Sequence, residues 1–226
     1  MKHIIFDIDG TLTDTTEIDD HCYTQAIKDT FGFSNFETNY GHYKNTTDSG
    51  IIDQLFLERT GRSYTPEEQQ QFIRHFCVLL EKAYATRREH FREINKAGKI
   101  LDFLCDQENL SIGLATGGWK ESALFKLRCA GINIDRCTAA SFAQDAMPRQ
   151  DIIRHTIRKM NEIHGREQEM SGIIYVGDGN WDYLATKALG IQFIGIENKK
   201  LAHLADIIKI ADYDELHQHI SVYAER

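Results

Sequence analysis

Along much of this chain, short apolar runs alternate with stretches whose apolar residues recur every three or four positions. Residues 4–6, Ile-Ile-Phe, form a compact apolar run at the start. Residues 111–115, 173–176 and 191–196 are further runs, and a shorter one lies near residues 137–141. Runs of this length predict buried strands. Between them, residues 94–105, 119–129, 148–163 and 180–189 carry helical spacing, with Gly131 as a stop for the second. Strands alternating with helices predict an α/β fold, a Rossmann-like parallel sheet with helices on both faces.

Residues 15–90 break that alternation. Ile18, Cys22, Ala26 and Ile27 keep helical spacing up to Gly32. Residues 33–47 form a loop rich in Asn, Thr, Gly and Tyr. Asp48 is placed to cap a helix through Ile51, Ile52, Leu55 and Phe56 that ends at Gly61. Thr65-Pro66-Glu67-Glu68 is a helix start with an N-cap, a Pro at the first position and acids in the first turn. That helix continues through Phe72, Phe76, Leu79, Leu80 and Tyr84. The expected organisation is a small α-helical cap domain over residues 15–90, inserted into a discontinuous core of residues 1–14 and 91–226.

Composition narrows the class. The 226 residues are 42% hydrophobic and 27% charged, ordinary values for a globular protein with a sizeable core. A net charge of −8 gives no broad basic surface, so no nucleic-acid partner is expected. The N-terminus is taken by the first strand, which leaves no place for a secretory leader, and no run is long enough for a bilayer. Five cysteines without CxxC spacing predict reduced thiols, hence a cytoplasmic protein. A monomer and a homodimer fit equally.

Candidate chemistry sits where the apolar runs end. Asp7 and Asp9 follow residues 4–6 and can reach one site, with Gly10 permitting the turn. Paired carboxylates at the end of a buried strand call for a partner, and a hard cation such as Mg²⁺ is the simplest. Asp178 and Asp182 repeat the arrangement after residues 173–176, with Gly177 and Gly179 shaping the loop between them. Thr116-Gly117-Gly118 lies between a strand and a helix, where a hydroxyl, backbone N–H groups and the helix dipole suit an anion. His42, Tyr43 and Lys44, in the loop of residues 40–45, offer donors for substrate specificity.

Asp7-Ile8-Asp9-Gly10-Thr11 after a hydrophobic strand resembles the first signature of the haloacid dehalogenase-like superfamily, in its phosphatase form. Thr116 at the end of a strand resembles its second signature. Gly177-Asp178, followed by Asp182, resembles its acidic signature. The resemblance implies that Asp7 is the nucleophile and Asp9 the general acid/base. It implies that Thr116 and Gly117 bind the phosphoryl group. Mg²⁺ would be held by Asp7, the backbone carbonyl of Asp9, Asp178 and Asp182. The family also places a basic residue near the start of a later helix. Arg149, here just after Pro148, is the candidate, with Arg154 and Lys126 as alternatives. The implied activity is Mg²⁺-dependent hydrolysis of a small phosphomonoester metabolite through an aspartyl phosphate. The alternatives are a sugar phosphomutase of the same superfamily and a receiver-like, non-catalytic phosphate-binding protein.

Overall fold

The computed structural model describes residues 2–224. Six parallel strands make one sheet: β1 (Lys2–Phe6), β4 (Leu110–Ala115), β5 (Ala139–Ser141), β6 (Ile173–Gly177), β7 (Gln192–Ile196) and β8 (Ile208–Ile210). Their order is β5-β4-β1-β6-β7-β8. β1 is therefore central, flanked by β4 and β6, and Ile5 stands opposite both Gly113 and Tyr175.

Alternation along β1 divides the core into two layers. Ile4 and Phe6 face one way, against α4 (Ala97–Cys105), α5 (Lys120–Cys129) and α8 (Tyr213–Ala224). Ile5 faces the other way, with Ile152, Ile153, Ile157 and Met160 of α6 (Arg149–His164) and Ala185 of α7 (Asn180–Leu189). All three side chains are fully buried, which is why the central strand reads as an unbroken apolar run.

Between the sheet's first strand and the rest of the core run α1 (Thr16–Phe31), α2 (Asp48–Thr60) and α3 (Pro66–Thr86). The chain leaves and returns through β2 (Thr13–Asp14) and β3 (Arg92–Glu93), paired antiparallel. The three helices share an aromatic cluster that also takes in Trp119 of the core: the Tyr23 ring lies 5.3 Å from Phe72 and 5.6 Å from Phe76, edge on. α3 starts with a full capping box, Thr65 accepting from the Glu68 N–H and Glu68 accepting from the Thr65 N–H.

Three expectations shift. α2 is capped by Thr47, whose hydroxyl accepts from the Gly50 N–H, so Asp48 lies inside the first turn with its carboxylate directed elsewhere. The helix expected from residue 94 begins at Ala97, because residues 92–93 pair with β2 and Asn95 and Lys96 have positive φ. β8 and α8 extend the core beyond the last predicted strand. Among the described residues, no helix is long and apolar enough to cross a membrane.

Phe72 has no exposed surface and touches Tyr23, Phe31 and Phe76. Phe72→Ala should cost about 3–5 kcal/mol of stability, read as a lower urea midpoint with an unchanged slope.

Candidate active site

The sheet's central position and the chain's direction bring the candidate groups together at the C-terminal ends of β1, β4 and β6. Asp7 extends β1 by one residue, donating its N–H to Val176 at 2.9 Å, and is only 3% exposed. Gly10 then turns the chain with φ 76°. A Cβ at Gly10 would lie 2.2 Å from Asp178 Oδ2, so the first acidic loop and the one after β6 can approach only over a glycine.

Asp7, Asp178 and Asp182 each offer a carboxylate oxygen within 4.8 Å of the others, and all three are buried. Arg149, the first residue of α6, donates from Nη1 to Asp7 Oδ1 at 3.0 Å and lies 3.5 Å through Nε from Asp182 Oδ1. A cation in a helix's first turn opposes the dipole, and these carboxylates offset that. Lys200 Nζ reaches Asp178 Oδ2 at 2.7 Å. Burial pushes the Asp178 carboxyl up to about 6 and the Asp182 carboxyl up to about 7, in each case against the pull of the neighbouring cation. Asp178 Oδ1 is buried with no hydrogen-bond partner among the described residues. Three clustered oxygen donors, one of them an orphan, fit a hard divalent cation.

Asp9 lies beside this group. Its Oδ1 accepts from the Thr15 hydroxyl at 2.7 Å, and its Oδ2 from Lys126 Nζ at 2.6 Å. The same ammonium reaches Asp19 Oδ1 of α1 at 2.5 Å. Lys126 is fully buried, and the two carboxylates hold it protonated despite burial. Thr116, after β4, accepts from the Gly118 N–H at 3.3 Å. Gly117 approaches Arg149 so closely that a Cβ would sit 3.1 Å from Nη2.

α2 docks at the same point. The Asp48 N–H donates to the Gly117 carbonyl at 2.8 Å, Asp48 Oδ2 accepts from the Trp119 N–H at 3.0 Å, and the Thr47 hydroxyl donates to the Met147 carbonyl at 2.7 Å. A cavity of about 260 Å³ lies between the helices and the sheet, lined by Asp7, Asp9, Thr116, Gly117 and Arg149 from the core side.

Of the predicted loop, Tyr40, Gly41 and Thr46 line this cavity, while His42, Tyr43 and Lys44 do not. His42 is exposed and pairs with Glu37, and Tyr43 is buried with its hydroxyl on the Glu37 carbonyl. Lys44 lies on a neighbouring cavity with Tyr43. Of the alternatives to Arg149, Arg154 pairs with Asp151, and Lys126 serves Asp9 and Asp19. Asp19, Asp20, Asp48 and Lys200 line the cavity without having been singled out for it. One signal was available: Lys126 sits between Ala123 and Leu127, both buried positions of an amphipathic helix. Lys200 carries no comparable mark.

A family model described as haloacid dehalogenase-like hydrolase matches residues 4–196. No curated protein matches the sequence at a significant level. Among solved structures, the chain resembles a hydrolase from Pseudomonas syringae at 20% identity and TM-score 0.72, covering 98% of this chain and 99% of that one. It resembles CbbY from Rhodobacter sphaeroides in complex with phosphate at 15% identity and TM-score 0.69, covering 96% of each chain. A proposed β-phosphoglucomutase from Bacteroides vulgatus matches at 16% identity and TM-score 0.70, covering 100% of this chain and 91% of that one. At these identities the structural likeness establishes the shared fold.

Burial raises the Asp48 carboxyl from its ordinary 3.8 to about 7, with Lys126 pulling the other way. A carboxyl raised on folding stabilises fully below its unfolded value, and that contribution is lost as pH rises through the folded one. Metal-free Asp48→Asn, which keeps an acceptor for the Trp119 N–H, should therefore melt above wild type at pH 8. The gap should close between about pH 7 and pH 4; thermal scans across that range check it, and a gap independent of pH would contradict it.

Proposed function

The chain belongs to the haloacid dehalogenase-like hydrolases, and on that premise we propose that it is a Mg²⁺-dependent phosphatase acting on a small phosphomonoester metabolite through an aspartyl phosphate on Asp7. The observation that carries this reading is the meeting of Asp7, Asp178 and Asp182 around one point, with Arg149 on Asp7 and a second, separately held carboxylate, Asp9, two residues on.

Asp7, Asp178 and Asp182, with the backbone carbonyl of Asp9, would hold the cation. When bound, Mg²⁺ supplies charge neutralisation between an anionic nucleophile and an anionic phosphoryl group. Arg149 adds a fixed guanidinium on the same side, keeping the Asp7 carboxylate oriented and screening its charge. Asp7 attacks phosphorus in line with the departing oxygen, forming the P–O bond to its carboxylate as the ester bond breaks. Asp9 gives its proton to the leaving alkoxide. It then takes a proton from the water that attacks the aspartyl phosphate, which releases phosphate and restores Asp7. The Thr116 hydroxyl and the N–H of Gly117 hold the phosphoryl oxygens. For Asp9 to protonate the leaving group, its contact with Lys126 must loosen in the course of the reaction.

The helices of residues 15–90 act in this proposal as a cap over the core formed by residues 1–14 and 91–226. Contacts of Thr47 and Asp48 with the loops after β4 and before α6 support that role, since they bring α2 over the phosphoryl site. His42, Tyr43 and Lys44 remain proposed specificity residues of the cap, acting from outside the cavity wall. The second reading, a sugar phosphomutase, takes its support from the β-phosphoglucomutase-like neighbour.

Wild type with Mg²⁺ should release phosphate from 4-nitrophenyl phosphate, chelator should stop it, and Asp7→Asn should lower the rate by roughly a thousandfold or more. Release by Asp7→Asn at the wild-type rate would overturn the mechanism. With sugar phosphates, isomerised product in place of free phosphate would identify a mutase.

A further inference from the structure

The two walls of the cavity differ in charge. The core wall carries Arg149, whose side chain is only 10% exposed and whose Nε makes no hydrogen bond among the described residues. With Thr116 and Gly117 beside it, Arg149 marks the end that takes an anion. The opposite wall comes from α1, α2 and the loop between them. Its ionisable residues are Asp19, Asp20 and Asp48 with the phenols of Tyr23 and Tyr40, and no Lys, Arg or His of residues 15–90 lines the cavity.

The nearby cations are already engaged. Lys126 is held by Asp9 and Asp19, Arg149 by Asp7 and Asp182, and Lys200 by Asp178. Asp20 has no hydrogen-bond or ion-pair partner among the described residues, and Asp48 has one backbone N–H and no ion pair. Nor do these acids converge as metal ligands: the grouping found among the described residues is Asp7, Asp178 and Asp182. The half-buried Tyr40 ring lines the same space and suits an organic cation, whereas Tyr23 is packed against Phe72 and Phe76 and the Trp181 ring is covered by Lys200.

We infer that the alcohol portion of the substrate carries an ammonium group, which sits against Asp20 and Asp48 while the phosphoryl group sits between Thr116 and Arg149. The inference rests on the phosphatase reading and specifies its substrate class: the phosphomonoester of an amino alcohol or an amino sugar. A second phosphate at that position would face Asp20 and Asp48, with no Lys, Arg or His of residues 15–90 lining the cavity to offset them. That weighs against bisphosphates, and so against a mutase cycle, in which returning the phosphoryl group to a monophosphate creates one. The raised carboxyl of Asp48 accords with an acid awaiting a counter-charge.

The test is kcat/KM for phosphate release on two matched sets: O-phosphoethanolamine, propyl phosphate and phosphoglycolate; then glucosamine 6-phosphate, glucose 6-phosphate and glucose 1,6-bisphosphate. Within at least one set the ammonium-bearing ester should exceed its neutral partner by about tenfold or more, chiefly through KM, with the anionic member last. The set that shows the preference separates amino alcohol from amino sugar. Asp48→Asn and Asp20→Asn should each shrink the ammonium-to-neutral ratio by about threefold or more, and high salt should compress it in wild type. Turnover of 4-nitrophenyl phosphate without an ammonium preference in either set, or with the anionic member preferred, overturns this inference alone. No turnover of any ester, 4-nitrophenyl phosphate included, removes the phosphatase reading and the inference with it.

Discussion

Carboxylates crowd one end of the sheet, and the rest of the structure is arranged around keeping them tolerable. Asp7, Asp9, Asp178 and Asp182 come from the core, Asp19, Asp20 and Asp48 from the helices above, and three cations stand among them. Isolated buried anions are costly, so each cation is shared wherever sharing is possible. Lys126 spans Asp9 and Asp19, and Arg149 spans Asp7 and Asp182. Removing either cation would strand two acids at once, which places more weight on these pairs than on any of the exposed ion pairs at the periphery.

The sharing also joins the two parts of the molecule. Lys126 reaches from α5 to Asp19 on α1, and Asp48 on α2 answers the Trp119 N–H at the start of α5. Apolar packing adds to them: the aromatic cluster of the helices takes in Trp119, and Phe125 of α5 meets Tyr84 and Phe91 edge on. The helices are thus held to the core by apolar contact as well as by charge and hydrogen bonds.

The sheet and its acidic loops were legible because burial on both faces forces unbroken apolar runs, and because a strand that ends at a polar crevice must switch abruptly to Asp and Gly. Residues 4–10 and 173–182 carry that switch plainly. The helix start at Thr65-Pro66 was legible for a local reason, since a capping box closes within four residues. What escaped was non-local. Lys126 meets Asp9 across 117 positions and Asp19 across 107, and nothing near Lys126 in sequence names either partner. Asp48 has the side chain of an N-cap, but Thr47 takes the Gly50 N–H, and only the docked position of α5 explains where Asp48 goes instead. The last strand and helix lack a comparable signal: β8 is a three-residue strand with only Ile210 fully buried.

The paired segments Thr13–Asp14 and Arg92–Glu93 give the molecule a single doorway. Everything between them is threaded out and back through one pair of adjacent two-residue strands, while β1 and β4 keep their register on either side. The spacing of Asp7 and Asp178 is set inside the frame, where β1 and β6 pair directly, and not by what passes through that doorway. On the proposed reading, such a chain keeps its chemistry in the frame and its taste for substrates in the guest it admits.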